Sequence, residues 1–270
     1  MKAVILAAGL GSRLGEFTRY KPKTLLSVGG RPLISHILGA LSGAGIREVI
    51  IITGHGEEML RSSVGDGSAF GLRVSYIRNP VYDTTNNIYS LSLVEGEVED
   101  GFIIVNSDVF FHPGVLESLM ELRHAGVALL VDLREELGEE EMKVVLRDGE
   151  VADISKEIPP EKAHGEYTGI ALVSPGMVAE FFSALRTVME EQGRGVYYEE
   201  VFRRLIEHGH RVVCASTRGL PWMEIDTPED LEAAEACWKS GASGCCSMPP
   251  RLQAEVGLPG RENLRNSPPS

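Results

Sequence analysis

Four short stretches of the chain are apolar almost throughout: residues 2–7, EVIIIT from Glu48, FIIVNSD from Phe102 and VALLVD from Val127. Strands of a sheet covered on both faces read this way, because neither face reaches water. Between them the period changes to that of a helix. RPLISHILGALSGAG sets Leu33, Ile37, Leu38 and Leu41 on one face and closes on glycines, and PGVLESLMELRHAG repeats the pattern. This alternation predicts an α/β fold: a mixed, mainly parallel sheet flanked by helices, with right-handed crossovers. After about Asp132 the period shortens to two. MKVVLRDGEVADISKEI alternates through Val144, Leu146, Val151 and Ile154 around Asp148 and Gly149, a β-hairpin signature, so an antiparallel section is expected as well. Helices are predicted over Pro175 to Glu191, Tyr197 to Glu207 and Pro228 to about Trp238, with the strand RVVCAS between the last two.

Composition narrows the function. With 43% hydrophobic and 24% charged residues over 270 positions, the bulk of the chain is neither disordered nor fibrous. A net charge of −13 opposes binding to a phosphate backbone, so nucleic acid is not an expected partner and any phosphate handled is small. No apolar run approaches the roughly 18 residues of a membrane span. The apolar start follows only Lys2 and runs into Arg13, which reads as a first buried strand rather than a secretory signal. Cys214, Cys237, Cys245 and Cys246 show no C-x-x-C spacing, which favours a reducing cytoplasm. From Lys239 onward apolar periodicity stops, and 14 of the last 32 residues are Pro, Gly or Ser, the composition of a disordered tail over 239–270.

The strongest local signal is LAAGLGSRLGEFTRYKPKTLL, from Leu6 to Leu26, directly after the first strand. Gly9 and Gly11 let backbone N–H groups close around an anion, and Arg13 and Lys23 bring charge to the same place. Two familiar phosphate loops are excluded by spacing: Gly15 comes one residue late for G-x-G-x-x-G, and no G-K-[ST] is present. The seven histidines are scattered, and none has metal spacing with a third ligand, so no zinc site is expected.

The whole stretch resembles the signature of nucleotidyltransferases that activate sugar phosphates and phosphorylated alcohols, L-A-A-G-x-G-[ST]-R followed by P-K. The resemblance runs from about Met1 to Trp238 and implies a Rossmann-like, GT-A-like fold. It further implies one domain over 1–238, with a nucleotide-binding part over about 1–132 and an acceptor-binding part over about 133–238. Leu6, Ala7, Ala8, Gly9, Gly11, Ser12, Arg13 and Lys23 would then hold the nucleotide. By the same resemblance Asp108 and Asp226 would form the metal site, while Ser107, just before Asp108, falls on the nucleotide side and Glu224, near Asp226, on the acceptor side. Alone, Asp108 reads equally as a turn or helix cap, and Asp226 or Thr227 as the cap of a final helix starting at Pro228. Two carboxylates completed by phosphate oxygens and water suit Mg²⁺. Arg13, Lys23, Asp108 and Asp226 are the expected catalytic set.

NPVYDTTNNIYSLSL from Asn79 lacks the glutamine and Gly-Thr-Ala stretch of relatives acting on hexose 1-phosphates. Its N-N-x-Y-S-L pattern is similar to the branch of cytidylyltransferases for phosphocholine, inositol 1-phosphate or aminoethylphosphonate. Asn86 and Asn87 would read base or ribose there, although either is also a natural cap for a helix near Ile88. Later segments resemble the same branch and place Lys143, Lys156, Glu166, Tyr167, Gly169, Tyr197, Tyr198 and Glu199 on the acceptor side. Lys156 also reads as an exposed strand lysine, and Tyr198 as packing at a helix start. The expected partners are CTP and a phosphate or phosphonate monoester, with no nucleic acid or membrane insertion, and a homodimer is compatible. Two other readings stand beside this one: a sugar 1-phosphate nucleotidyltransferase using UTP, dTTP or GTP, and a catalytically silent relative that binds nucleotide only.

Overall fold

The computed structural model describes residues 1–134 and 136–240, so the expected tail lies, after its first two residues, outside the described residues. Strand β1 (Lys2–Ala7) leads through two 3₁₀ turns and the short strands β2 (Ser27–Val28) and β3 (Arg31–Pro32) into α1 (Leu33–Gly43) and β4 (Glu48–Thr53). Next come α2 (Glu57–Val64), β5 (Arg73–Arg78), α3 (Asn87–Ser92), β6 (Phe102–Asn106), β7 (Val109–Phe111), α4 (Val115–Glu121) and β8 (Val127–Asp132). The remaining chain forms β9 (Lys143–Arg147), β10 (Glu150–Ser155), β11 (Gly165–Val173), α5 (Val178–Gln192), α6 (Glu199–Glu207), β12 (Val212–Ser216), β13 (Trp222–Glu224) and α7 (Pro228–Lys239).

Nine strands make one sheet in the order β5-β4-β1-β6-β11-β8-β12-β10-β9. β5, β4, β1 and β6 run parallel, as do β8 and β12. The predicted hairpin β9–β10 forms the far edge, and its two turn residues, Asp148 at φ 53° and Gly149 at φ 81°, have the paired positive φ of a type I′ turn. Antiparallel pairing is not confined to that edge, because β11 inserts between β6 and β8 and runs against both. All nine residues of β11 are buried, so no alternation marked it in the sequence. Side chains of one sheet face, among them Leu6, Ile52, Ile104 and Leu129, pack on α3, α5 and α6. Those of the other face, including Ile5, Ile51, Val105 and Leu130, pack on α1, α2 and α4. The core is therefore two apolar layers on a central sheet, and the sheet edges are free to carry polar loops.

β1 is the pivot. The chain leaves it toward β4 on one side, whereas after β6 it leaves toward the opposite half of the sheet. Loops diverging from adjacent parallel strands open a crevice at their carboxyl ends, where ligands of such sheets bind. No helix among the described residues is long and apolar enough to cross a membrane. Cys214 is free.

Candidate active site

The register Leu6 opposite Asn106 means that Ala7–Ala8 and Ser107–Asp108 emerge side by side from β1 and β6. The loop after β1 then turns tightly. Gly11 sits at φ 62°, and a Cβ there would stand 3.1 Å from Thr18 Cγ2 and 3.2 Å from Lys23 Cβ. The Thr18 hydroxyl donates to the Gly11 carbonyl at 2.8 Å, and buried Leu14 pins the loop to the body. These contacts bring the backbone of Gly9 to Arg13 and the stem of Lys23 to one wall of a cleft of about 410 Å³.

Asp226 reaches the same cleft by a different route. β7 and β13 pair with Val109 opposite Glu224, and the Ile225 N–H donates to the Asp108 carbonyl at 2.9 Å. This small ribbon sets the two aspartates together. The capping role falls to Thr227, whose hydroxyl accepts from the Asp230 N–H while Asp230 Oδ2 accepts from the N–H groups of Asp226 (2.9 Å) and Thr227 (2.8 Å). The Asp226 carboxylate is thereby left for the cleft. Lys23 Nζ donates to Asp226 Oδ1 at 2.5 Å and to Asp108 Oδ2 at 3.1 Å, and Arg13 Nη1 donates to Asp226 Oδ2 at 2.6 Å. Burial alone would lower the Lys23 ammonium, but Asp108 and Asp226 outweigh it and hold the group above its usual range. Burial likewise works against the Asp226 carboxylate, yet Lys23 and Arg13 win and hold it below the usual carboxylate range.

Asp108 Oδ1 is buried with no hydrogen-bond partner. Oxygens of Asp108, Glu224 and Asp226 lie within 4.8 Å of one another. An orphaned carboxylate oxygen beside two more carboxylates is a donor set for a hard divalent cation, so these residues fit Mg²⁺. The Glu224 side chain still touches solvent, but the protein around its carboxyl, followed by the charges of Asp108 and Asp226, pushes it up to about 8.

Every residue expected on the nucleotide side lines the cleft, Asn86, Asn87 and Ser107 included. Asn86 caps α3 by accepting from the Asn87 N–H at 2.7 Å, and Asn87 Oδ1 accepts from the Tyr198 N–H at 2.9 Å. The caps and the cleft wall are thus the same residues. On the acceptor side Lys156, Glu166, Tyr167, Gly169, Tyr197, Glu199 and Glu224 line the cleft. Gly169, at φ 78°, lies so close to Asn106 that a Cβ would stand 2.7 Å from its Nδ2.

Two expected acceptor residues are placed elsewhere. Lys143 is fully buried, and its ammonium donates to the carbonyls of Gly138, Glu139 and Glu141 at 3.2, 2.7 and 3.3 Å, so it ties down a loop. Tyr198 is also fully buried, bonding the Tyr167 hydroxyl at 2.8 Å and donating to Asn106 Oδ1 at 3.2 Å. Asn106 itself lines the cleft and was missed, although a polar residue closing an apolar strand marks it. Arg134, paired with Glu166 and 3.7 Å from Glu141, had no such mark. Burial raises Glu166 to about 7 in spite of Arg134.

A glycine loop after the first strand of a mixed α/β sheet stands beside a lysine held between two aspartates. The chain belongs to the nucleotidyl transferase family, whose model matches residues 2–240. It is 34% identical over 246 residues to CMP-5'-(3-aminopropyl)phosphonate synthase of Streptomyces rubellomurinus, an alignment covering 87% of this chain and 38% of that protein. It is 30% identical over 238 residues to the bifunctional IPC transferase and DIPP synthase of Aquifex aeolicus, covering 86% of this chain and 50% of the relative. The chain thus spans half or less of the length of these curated relatives. The solved CTP:phosphocholine cytidylyltransferase of Streptococcus pneumoniae superposes with a TM-score of 0.71 at 26% identity, covering 87% of this chain and 97% of that one.

Proposed function

We propose that the chain transfers a cytidylyl group from CTP to a small phosphorylated alcohol or phosphonate in a Mg²⁺-dependent reaction that releases pyrophosphate. The observation that carries this reading is the Lys23 ammonium, held between Asp108 and Asp226 at the mouth of the glycine loop. The names of the relatives, which join cytidine nucleotides to phosphonate and phosphate acceptors, support it.

The acceptor oxygen in this chemistry is already anionic, so no general base is required, and positioning with charge neutralisation suffices. Backbone N–H groups from Gly9 to Ser12 and the Arg13 guanidinium hold the triphosphate. Lys23 supplies positive charge where negative charge builds around the α-phosphorus. Asn86 and Asn87 present their remaining amide hydrogens to base or ribose. Asp108 and Asp226, with Glu224 beside them, would hold Mg²⁺, which when bound neutralises phosphate charge and draws the two substrates together.

Pyrophosphate release is to be measured with Mg²⁺ and each of CTP, UTP, ATP, GTP and dTTP, against phosphocholine, 2-aminoethylphosphonate, inositol 1-phosphate and glucose 1-phosphate. Turnover is expected with CTP and one of the first three acceptors. Turnover confined to glucose 1-phosphate with UTP or dTTP would replace this reading by the sugar-nucleotide one, and tight CTP binding without turnover would replace it by the silent relative.

A further inference from the structure

Asn106 closes β6 as the one polar residue of an otherwise apolar, buried strand, opposite Leu6 of β1 and two residues before Asp108. Its amide is held from inside the protein. Tyr198, fully buried just before α6, donates its hydroxyl to Asn106 Oδ1 at 3.2 Å. With that proton committed, the 2.8 Å contact between the two tyrosines is a bond donated by Tyr167 to Tyr198, so donors run in one direction from Tyr167 through Tyr198 to Asn106. Burial pushes both hydroxyls well above the ordinary tyrosine range, which keeps their protons in place. On the other side Gly169 makes room, because a Cβ there would stand 2.7 Å from Asn106 Nδ2 and 3.0 Å from its Cβ and Cγ. Oδ1 is thus answered within the fold. Nδ2 makes no hydrogen bond among the described residues, is not a buried atom, and belongs to a residue of the cleft wall.

The neighbouring strands say what stands in front of it. β1, which leads into the glycine loop, flanks Asn106 on one side, and β11, which carries Glu166 and Gly169, flanks it on the other. The amide therefore lies between nucleotide and acceptor, close to the aspartates that pair with Lys23. An amide whose oxygen is already occupied offers only its N–H groups, and a fixed neutral donor answers an oxyanion alongside the charge of Lys23 and Arg13. Free to rotate, the same amide would present its oxygen as readily, and the oxygen would repel a phosphate.

We infer that Asn106 donates through Nδ2 to a phosphorus oxyanion at the centre of transfer, and that Tyr198 is the positioning residue that aims it. The oxyanion belongs to the α-phosphate of the nucleotide or to the phosphate or phosphonate of the acceptor. This rests on the cytidylyl-transfer reading and deepens it.

The test follows the Asn106 side-chain amide by NMR in the isotopically labelled full chain, its signals identified by their loss in Asn106→Asp and, independently, in Asn106→Ser. CMP, methylphosphonate and cytidine are added separately with Mg²⁺. A saturable shift is expected with CMP, with methylphosphonate or with both, which names the source of the oxyanion, and none with cytidine. No shift with either anion, or an equal shift with cytidine, would overturn the assignment. Pyrophosphate release with CTP and phosphocholine, 2-aminoethylphosphonate or inositol 1-phosphate runs in parallel. Asn106→Asp keeps an oxygen for Tyr198 and replaces the donor by a repelling oxygen, so kcat should fall by about 100-fold. Tyr198→Phe should lose about tenfold, and that loss should vanish in the Asn106→Asp background, because Tyr198 acts through Asn106. Additive losses would mark Tyr198 as merely structural and overturn its role, and turnover by Asn106→Asp within about threefold of wild type would overturn that of Asn106. An anion-induced shift with no turnover for any nucleotide would sink the transferase reading and leave the oxyanion donor standing, with the same cycle then read on probe affinity.

Discussion

At the scale of single residues, the site is a set of charges placed where burial and partners disagree. Lys23 holds two aspartates against its own desolvation, and replacing it with methionine should lower kcat/KM for CTP by about 10² to 10³, the usual loss of one preorganised donor. A fall of less than tenfold in steady-state turnover would contradict that role. Glu199 behaves oppositely. Burial outweighs its own backbone hydrogen bond and the charge of Lys156, and with Asp108 and Glu200 adding to it raises its carboxyl from 4.5 to about 7, so the folded state binds this proton more tightly than the unfolded chain does. Its contribution to stability is complete below pH 4.5 and is lost as pH rises through 7. Glu199→Gln should therefore gain stability relative to wild type as pH goes from 5 to 8, by at most about 3 kcal/mol. Urea unfolding at several pH values reads this directly, and a pH-independent difference would contradict the placement. The sequence disclosed Lys23, Asp108 and Asp226 because each lies in a linear motif. Neither the burial of Lys143 among three carbonyls nor the buried, unpartnered Oε2 of Glu199 has a linear signature, since both arise from loops and helices meeting in space.

At the scale of elements, the β7–β13 ribbon and the start of α7 aim Asp226. Asp230 accepts two backbone N–H groups there, one from Asp226 itself. Asp230→Ala should cost about 1 kcal/mol of stability, as loss of a cap does, and should also lower turnover although Asp230 lies outside the cleft lining. Thermal unfolding and pyrophosphate release together test this. Unchanged turnover at reduced stability would show that the ribbon alone suffices. Asp226 and Thr227 competed for the capping role in the sequence, and only the structure separates them: Thr227 points along the helix and Asp226 across to Lys23. Short elements were the hardest to read. β5 is an edge strand with Arg73 and Ser75 exposed, and α2 buries only Leu60 and Val64, so neither carried a full apolar period.

At the scale of the molecule, the parallel core of the sheet was legible because β1, β4, β6 and β8 are runs of buried aliphatic residues. The position of β11 was not, since strand order depends on pairing between distant segments. That insertion matters for the site: it lays Gly169 against Asn106 at the end of β6, with Tyr167 and Glu166 preceding it on β11 opposite Val131 and Asp132, and all three line the same cleft as the glycine loop. In a chain of net charge −13, Arg13, Lys23 and Lys156 line the cleft and bring to it the positive charge that small anionic substrates need. Under the proposed function, Asp108 and Asp226 hold the cation on which transfer depends. This is tested most directly by titrating Mg²⁺ into wild type and Asp108→Asn at saturating CTP and acceptor and following pyrophosphate release. Wild type is expected to show saturable Mg²⁺ dependence and no activity with excess chelator, and the variant a loss of about 10³ in kcat with CTP affinity within a few-fold. Turnover by Asp108→Asn within tenfold of wild type, with the same Mg²⁺ dependence, would contradict it.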